Sequence, residues 1–187
     1  MTLKRVLPFA KDLLKEVVQE GDTAIDATAG NGHDTFFLVQ LVGETGHVFA
    51  FDVQEDALTK TAERLGNNRD RATLIHDGHE HVLKYVSREI SAAIFNLGYL
   101  PGSDHSVVTK GETTITAIQG ILDRLKIGGL IVLVVYHGHE GGKEERDDIM
   151  DYVSTLPQSQ VDVMKYEFLN QKNSPPFIIA IEKKKEM

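Results

Sequence analysis

The stretch Asp26-Ala27-Thr28-Ala29-Gly30-Asn31-Gly32-His33-Asp34-Thr35 gathers carboxylates, small side chains and two glycines into one turn-sized segment. Thr23-Ala24-Ile25 before it reads as a short buried strand, and Phe36 to Val42 after it as a helix. A strand, a glycine turn and a helix N-terminus bring unpaired backbone N–H groups and the positive end of the helix dipole to one place, which suits a nucleotide. The spacing narrows the choice. Gly30-x-Gly32 is followed by Thr35 where a dinucleotide fingerprint needs its third glycine, and no Gly-Lys-Ser/Thr follows, so a Walker phosphate loop is excluded. Asp26, on the strand itself, disfavours a pyrophosphate and would help hold a cationic ligand. Asp52 closes the next apolar strand, Gly46 to Asp52, where a carboxylate can accept hydrogen bonds from both ribose hydroxyls.

A second constellation, Asn96-Leu97-Gly98-Tyr99, stands at the end of a later strand. The Asn96 amide oxygen and a nearby backbone carbonyl can orient the N–H groups of a primary amine, and Tyr99 can pack against a flat base. Tyr136, His137 and His139 follow the most apolar strand; stacking, phosphate or base contact and proton acceptance are their candidate chemistry, local loop bonding the alternative. Asp77, Gly78 and His79 end a third strand, where Asp77 serves as a helix N-cap, a ligand contact or both. Asn170, Asn173, Pro175 and Pro176 form a polar loop that either touches substrate or only joins two strands. His76, His79 and His81 come nearest to a metal-ligand spacing, but they straddle a strand end and a helix start with no cysteine to assist, so no metal centre is expected.

The elements that must position these residues follow from periodicity. Leu3, Val6, Leu7, Ala10, Leu13, Leu14, Val17 and Val18 recur at helical spacing and predict an amphipathic helix over about 7–19 with that stripe in the core. Helices are predicted over 55–65, around 81–85, through Ile115 to Leu125, and over 143–154 with Ile149, Met150 and Val153 buried. Further strands are predicted at 71–75, 91–95, 130–136 after a Gly128-Gly129 turn, 161–168 and 177–182, with Lys183-Lys184-Lys185 as a solvated end. Strands alternating with helices imply an α/β fold, doubly wound around a mostly parallel seven-stranded sheet. Two final strands joined only by a loop imply an antiparallel C-terminal edge hairpin. No linker or repeat interrupts residues 1–187, which read as one domain.

Composition sets the outer bounds. With no cysteine among 187 residues, disulfides and thiolate metal sites are excluded, and a reducing cytoplasmic setting is expected. No run approaches the roughly 18 apolar residues of a membrane span, and the basic start, Met1 to Arg5, leads into no signal-peptide hydrophobic region. A net charge of −8 provides no global field to hold nucleic acid, so an RNA partner needs a local patch or base recognition.

Asp26-x-Thr28-x-Gly30-x-Gly32 resembles the Asp/Glu-x-Gly-x-Gly-x-Gly signature of class I S-adenosylmethionine (SAM) methyltransferases, with Thr28 in place of the first glycine. Asn96-Leu97-Gly98-Tyr99 resembles the Asp/Asn-Pro-Pro-Tyr/Phe motif of amino-methyltransferases in that class, with Leu97-Gly98 for Pro-Pro. Together with Val135-Tyr136-x-Gly138-His139-x-Gly141-Gly142, these motifs resemble the bacterial family labelled putative rRNA methylase over about 7–182. Some members of that family are implicated in methylating the aminomethyl group on the wobble uridine of tRNA. The resemblance implies a Rossmann-like methyltransferase that uses SAM and releases S-adenosylhomocysteine (SAH). It implies that Gly30, Asn31 and Gly32 line the methionine and ribose of the cofactor, that Asp26, Thr28, His33 and Asp34 also belong to the cofactor site, that Asp52 and Gln54 hold the ribose, and that Asp77, Gly78 and His79 lie near the adenine. It further implies catalysis at Asn96 and Tyr99, with Leu97, Gly98, Tyr136, His137, His139, Asn170 and Asn173 toward a tRNA anticodon region. Other acceptors, an rRNA base or a small amine, stay open, as do a non-catalytic SAM-binding role and a homodimer.

Overall fold

Apolar runs ended by glycine or an acid become the strands of this computed structural model, which describes residues 1–98 and 109–187. In chain order the elements are α1 (Val6–Val17), β1 (Thr23–Asp26), α2 (His33–Val42), β2 (His47–Asp52), α3 (Glu55–Leu65), β3 (Ala72–His76), α4 (Val82–Tyr85), β4 (Ile90–Leu97), α5 (Gly111–Arg124), β5 (Leu125–Val135), α6 (Gly142–Ser154), β6 (Val161–Tyr166) and β7 (Phe177–Lys183). The seven strands form one sheet in the order β3-β2-β1-β4-β5-β7-β6. Strands β1 to β5 pair in parallel, β7 runs antiparallel to β5, and β6 pairs antiparallel with β7. This is the expected doubly wound sheet with its C-terminal hairpin.

Helices cover both faces, which is why the central strands are buried on both sides. On one face Val6, Ala10 and Leu14 of α1 and Leu38 and Val42 of α2 pack on Ala24, Val48, Ile94 and Val132. On the other, Val82, Ile118, Ile121, Ile149 and Val153 from α4, α5 and α6 pack on Ile25, Phe51, Phe95 and Leu133. The strand order reverses between β1 and β4. Crevices for ligands form at such a point, outside the carboxyl ends of the strands. Among the described residues no helix is long and apolar enough to cross a membrane.

Four expectations change. Gly128-Gly129 is not a turn before a strand but part of β5: Ile90 pairs with Leu125 and Ala92 with Leu130, so the intervening residues of β5 form a bulge, with Gly128 at φ +82°. Strand β4 runs on to Leu97, and pairing of Asn96 with Val134 fixes the Asn96 backbone inside the sheet. Lys183 is not a solvated tail residue. It is 2% exposed at the end of β7, and its ammonium donates to the carbonyls of Leu122 (3.1 Å) and Leu125 (2.9 Å), where a cation complements the C-terminus of α5. Leu3 and Leu7 leave the predicted core stripe, because α1 begins only at Val6 and the Leu7 side of it faces the crevice.

Candidate active site at the sheet switch point

A crevice of about 1070 Å³ opens over the ends of β1, β2 and β4, with Leu7 and Lys11 of α1 on its rim. Its floor begins with the glycine turn. Gly32 adopts φ +84°, and a Cβ there would lie 2.8 Å from Thr61 Cα, so only glycine lets α2 start this close to α3. Thr61 Oγ1 donates to the Gly30 carbonyl (3.2 Å) and Arg64 Nε to the Asn31 carbonyl (2.8 Å), which clamps the turn from α3. Gly30 itself faces open space: a Cβ would meet nothing nearer than the Thr28 carbonyl at 3.8 Å. Across the turn, Asp52 Oδ2 accepts the Gly30 N–H and Asp52 Oδ1 the Gln54 N–H, both at 2.9 Å. Each oxygen keeps a lone pair for a further donor.

Beneath the turn, Asp26 is fully buried and accepts from the Thr28 N–H (3.1 Å) and the Thr35 hydroxyl (2.6 Å). Burial, and after it the nearby Asp34 charge, push its pKa up to about 7. Asp26 supports the crevice floor from below and does not line it. His79 is buried too. Its Nδ1 lies 2.9 Å from the Ala27 carbonyl and so carries the proton, its ring meets Phe95 edge-on, and burial pulls its pKa down, favouring the neutral ring.

At the far rim, Asp77 accepts from the Tyr85 hydroxyl (2.7 Å), His81 Nδ1 (2.8 Å) and the Gly78 N–H (2.8 Å). The Tyr85 bond first, then that of His81, hold its carboxyl down to about 2. His76, His79 and His81 do not converge: His76 Nε2 turns to the Val53 carbonyl at 3.0 Å, His79 to Ala27 and His81 to Asp77. Asp77, Glu80 and His81 do bring candidate ligand atoms within 4.8 Å of one another, at a place where Asp77 is already engaged three times.

The end of β4 is tied to the glycine turn. The Asn96 N–H donates to Thr28 Oγ1 at 2.8 Å, and Asn96 Nδ2 donates to Asp34 Oδ2 at 2.5 Å. Thr28, the residue standing in for a glycine, thus joins β1 to β4 through its side chain. The second donation fixes the plane of the Asn96 amide and leaves Oδ1 as its acceptor. Leu97 is buried, and its carbonyl accepts the Tyr136 N–H at 2.8 Å. Gly98 adopts φ +76°, where a Cβ would come within 2.2 Å of His139 Cε1 and 2.4 Å of the Tyr136 carbonyl oxygen. Its N–H donates to Thr109 Oγ1 (3.2 Å), which donates in turn to the buried Glu145 carboxyl (2.9 Å). Burial pushes the Glu145 pKa up.

The crevice walls therefore bring together Thr28, Gly30, Asn31, His33, Asp34, Asp52, Gln54, Asp77, Gly78, His79, Asn96, Gly98 and Tyr136. Asp26, Gly32 and Leu97 support it from behind. Tyr99 lies outside the described residues. His137 is a strut: Nε2 donates to the Pro175 carbonyl (3.1 Å) and Nδ1 accepts from Arg146 (3.2 Å). His139 is wedged between Gly98 and Gly142, and Asn170 and Asn173 are exposed on the hairpin loop, outside the crevice walls. Residue type and spacing did not single out Glu145, Thr109 or Lys11. Glu145 had a signal, because it stands four residues before Ile149 and eight before Val153 on the buried face of α6.

Residues 48–182 match the family described as putative rRNA methylase. The chain is 35% identical over 192 residues to the chloroplastic tRNA (mnm(5)s(2)U34)-methyltransferase of Arabidopsis thaliana, covering 96% of this chain and 70% of that one. Among solved structures it superposes on a putative rRNA-methylase from Clostridium thermocellum with a TM-score of 0.96 at 44% identity, covering 98% of this chain and all of the other. A putative methyltransferase from Streptococcus mutans, in complex with SAH, matches with a TM-score of 0.90 at 48% identity over 97% of this chain and 99% of that one.

Proposed function

The chain belongs to the putative rRNA methylase family of class I methyltransferases, and from that premise we propose that it methylates the 5-aminomethyl group of a wobble uridine, often 2-thiolated, in the tRNA anticodon. The observation that carries this reading is the Asn96 N–H bonded to Thr28 Oγ1. It locks an amine-orienting amide to a nucleotide cradle across the switch point. The Arabidopsis relative, whose name specifies the modified wobble uridine, supports the choice of acceptor. The cytoplasm, where tRNA circulates, is the setting we assign.

The residues present fit SAM. Asp52 offers one acceptor lone pair per oxygen for the two ribose hydroxyls. Gly30 leaves the turn open to a ligand, and Asp77 and Gly78 border the end of the crevice suited to adenine. When bound, SAM supplies an electrophilic methyl group on a sulfonium. The protein supplies orientation. Asn96 Oδ1 accepts one amine N–H and turns the nitrogen lone pair toward the cradle, and the half-buried Tyr136 bounds the space for the base. With no cysteine in the chain, no thiolate nucleophile is available, so the amine itself attacks.

The test is methyl transfer by the purified protein from radiolabelled SAM to tRNA carrying 5-aminomethyluridine, to rRNA and to small amines. Labelling of the tRNA alone is expected. Labelling of rRNA or a free amine with none of tRNA would overturn the assignment.

A further inference from the structure

An alkylamine meets the enzyme near neutral pH as an ammonium, with no lone pair to react. A partner in the crevice that holds this cation and takes its proton would supply the reactive form in place. The histidines of the loop after β5 are committed elsewhere: both His137 nitrogens are bonded, to Pro175 and Arg146, and His139 is packed between Gly98 and Gly142. His79 is buried against Ala27. Among the described residues, the carboxylate bonded to the Asn96 side chain is that of Asp34. It lines the crevice from the first turn of α2, and its Oδ2 receives Asn96 Nδ2 at 2.5 Å. Asn96 takes one oxygen, and among the described residues no protein donor takes Oδ1, which leaves it for a ligand.

We propose that Asp34 and Asn96 together form a receptor for an alkylammonium group, in which Asp34 is the proton acceptor and the element that selects an aliphatic amine over a neutral acceptor. This rests on the wobble-uridine reading and names the residues that read the acceptor. The cationic nitrogen donates to Asp34 Oδ1 and Asn96 Oδ1, a charge-assisted pair with fixed geometry. One N–H bond then breaks, an O–H bond forms on Asp34, and the electron pair stays on nitrogen as the reactive lone pair. A base amino group such as that of adenine carries no such charge and gains nothing from this carboxylate.

The experiment measures binding without SAM, so it does not depend on turnover. An anticodon stem-loop RNA with 5-aminomethyluridine is compared with the same RNA carrying 5-hydroxymethyluridine, for wild type, Asp34→Asn and His33→Gln. His33 is the neighbouring titratable side chain of the crevice. Wild type is expected to prefer the amine by about tenfold, the size of one charge-assisted hydrogen bond. Asp34→Asn should bind both RNAs equally while keeping SAH affinity, since an asparagine oxygen can still accept from Asn96 Nδ2, and His33→Gln should keep the preference. The proposal is overturned if Asp34→Asn retains the preference, if its main defect is lost SAH affinity, or if His33→Gln abolishes the discrimination. Equal binding of both RNAs by wild type overturns the receptor while leaving the tRNA reading intact. If neither RNA binds, both fall.

Discussion

Replacing Thr28 by valine probes the joint between cradle and acceptor. The two side chains are nearly isosteric, so the change removes little but Oγ1, the acceptor for the Asn96 N–H at 2.8 Å. A partly buried N–H left without a partner costs about 1–3 kcal/mol. In a chain of this size that lowers Tm by about 2–4 °C for each kcal/mol. The kinetic effect should be larger than the stability effect suggests, because Asn96 would lose its registration against the turn. A displacement near 1 Å of a positioning group costs on the order of 100-fold in rate. SAM affinity should stay within about threefold, less than 1 kcal/mol, since Gly30, Asp52 and Gln54 keep their own bonds. Thr28→Ser restores the oxygen and should recover most of the rate. Steady-state methyl transfer, SAM titration and thermal denaturation on the three proteins decide the matter. Wild-type kcat in the valine variant, or a serine variant as defective as valine, would disprove this coupling.

Asp52→Ala should raise the Kd for SAM by more than about 100-fold, with each of the two lost charge-assisted bonds contributing roughly 1.5–3 kcal/mol, while kcat at saturating SAM changes much less; calorimetric titration separates the two. Gly98→Ala forces a Cβ to within 2.4 Å of the Tyr136 carbonyl oxygen at a φ that L-residues rarely adopt, so transfer should fall by more than about tenfold with SAM binding retained, read by the same pair of assays. Asp26 holds its proton to about pH 7 in the folded chain, against an ordinary aspartate value of 3.8. Between those values the folded state binds more protons than the unfolded one, so this group's contribution to stability falls as pH rises from about 4 through 7. Asp26→Asn should therefore gain stability relative to wild type across that window, and urea denaturation at pH 5 and pH 8 would show a constant difference if the burial argument is wrong.

The sheet was legible because its strands are long apolar runs, and the hairpin because a loop without a helix separates the last two. The bulge in β5 was not: Gly128-Gly129 is a turn signal in isolation, and only pairing with Ile90 and Ala92 on β4 makes it part of a strand. Lys183 shows the same limit, since a lysine run at a chain end looks solvated until the C-terminal carbonyls of α5 are placed beside it. In the site, Asp52 and Asn96 could be chosen from their positions at strand ends. The partnership of Asn96 with Thr28 and Asp34 could not, because it joins residues more than sixty positions apart in the chain. Loop histidines drew notice as potential bases by residue type alone, whereas their hydrogen bonds make His137 a strut. Glu145 was hidden for the opposite reason: a charged residue in a charged helix looks ordinary until Thr109 and Thr114 are seen to enclose it.

Whether this cradle and this amide methylate an aminomethyl group on the wobble uridine is decided by mass analysis of nucleosides from the tRNA of cells lacking the protein. Loss of 5-methylaminomethyl-(2-thio)uridine is expected, with accumulation of its 5-aminomethyl precursor, reversed by the wild-type gene and not by one encoding Asn96→Ala. An unchanged tRNA nucleoside profile would contradict the assignment.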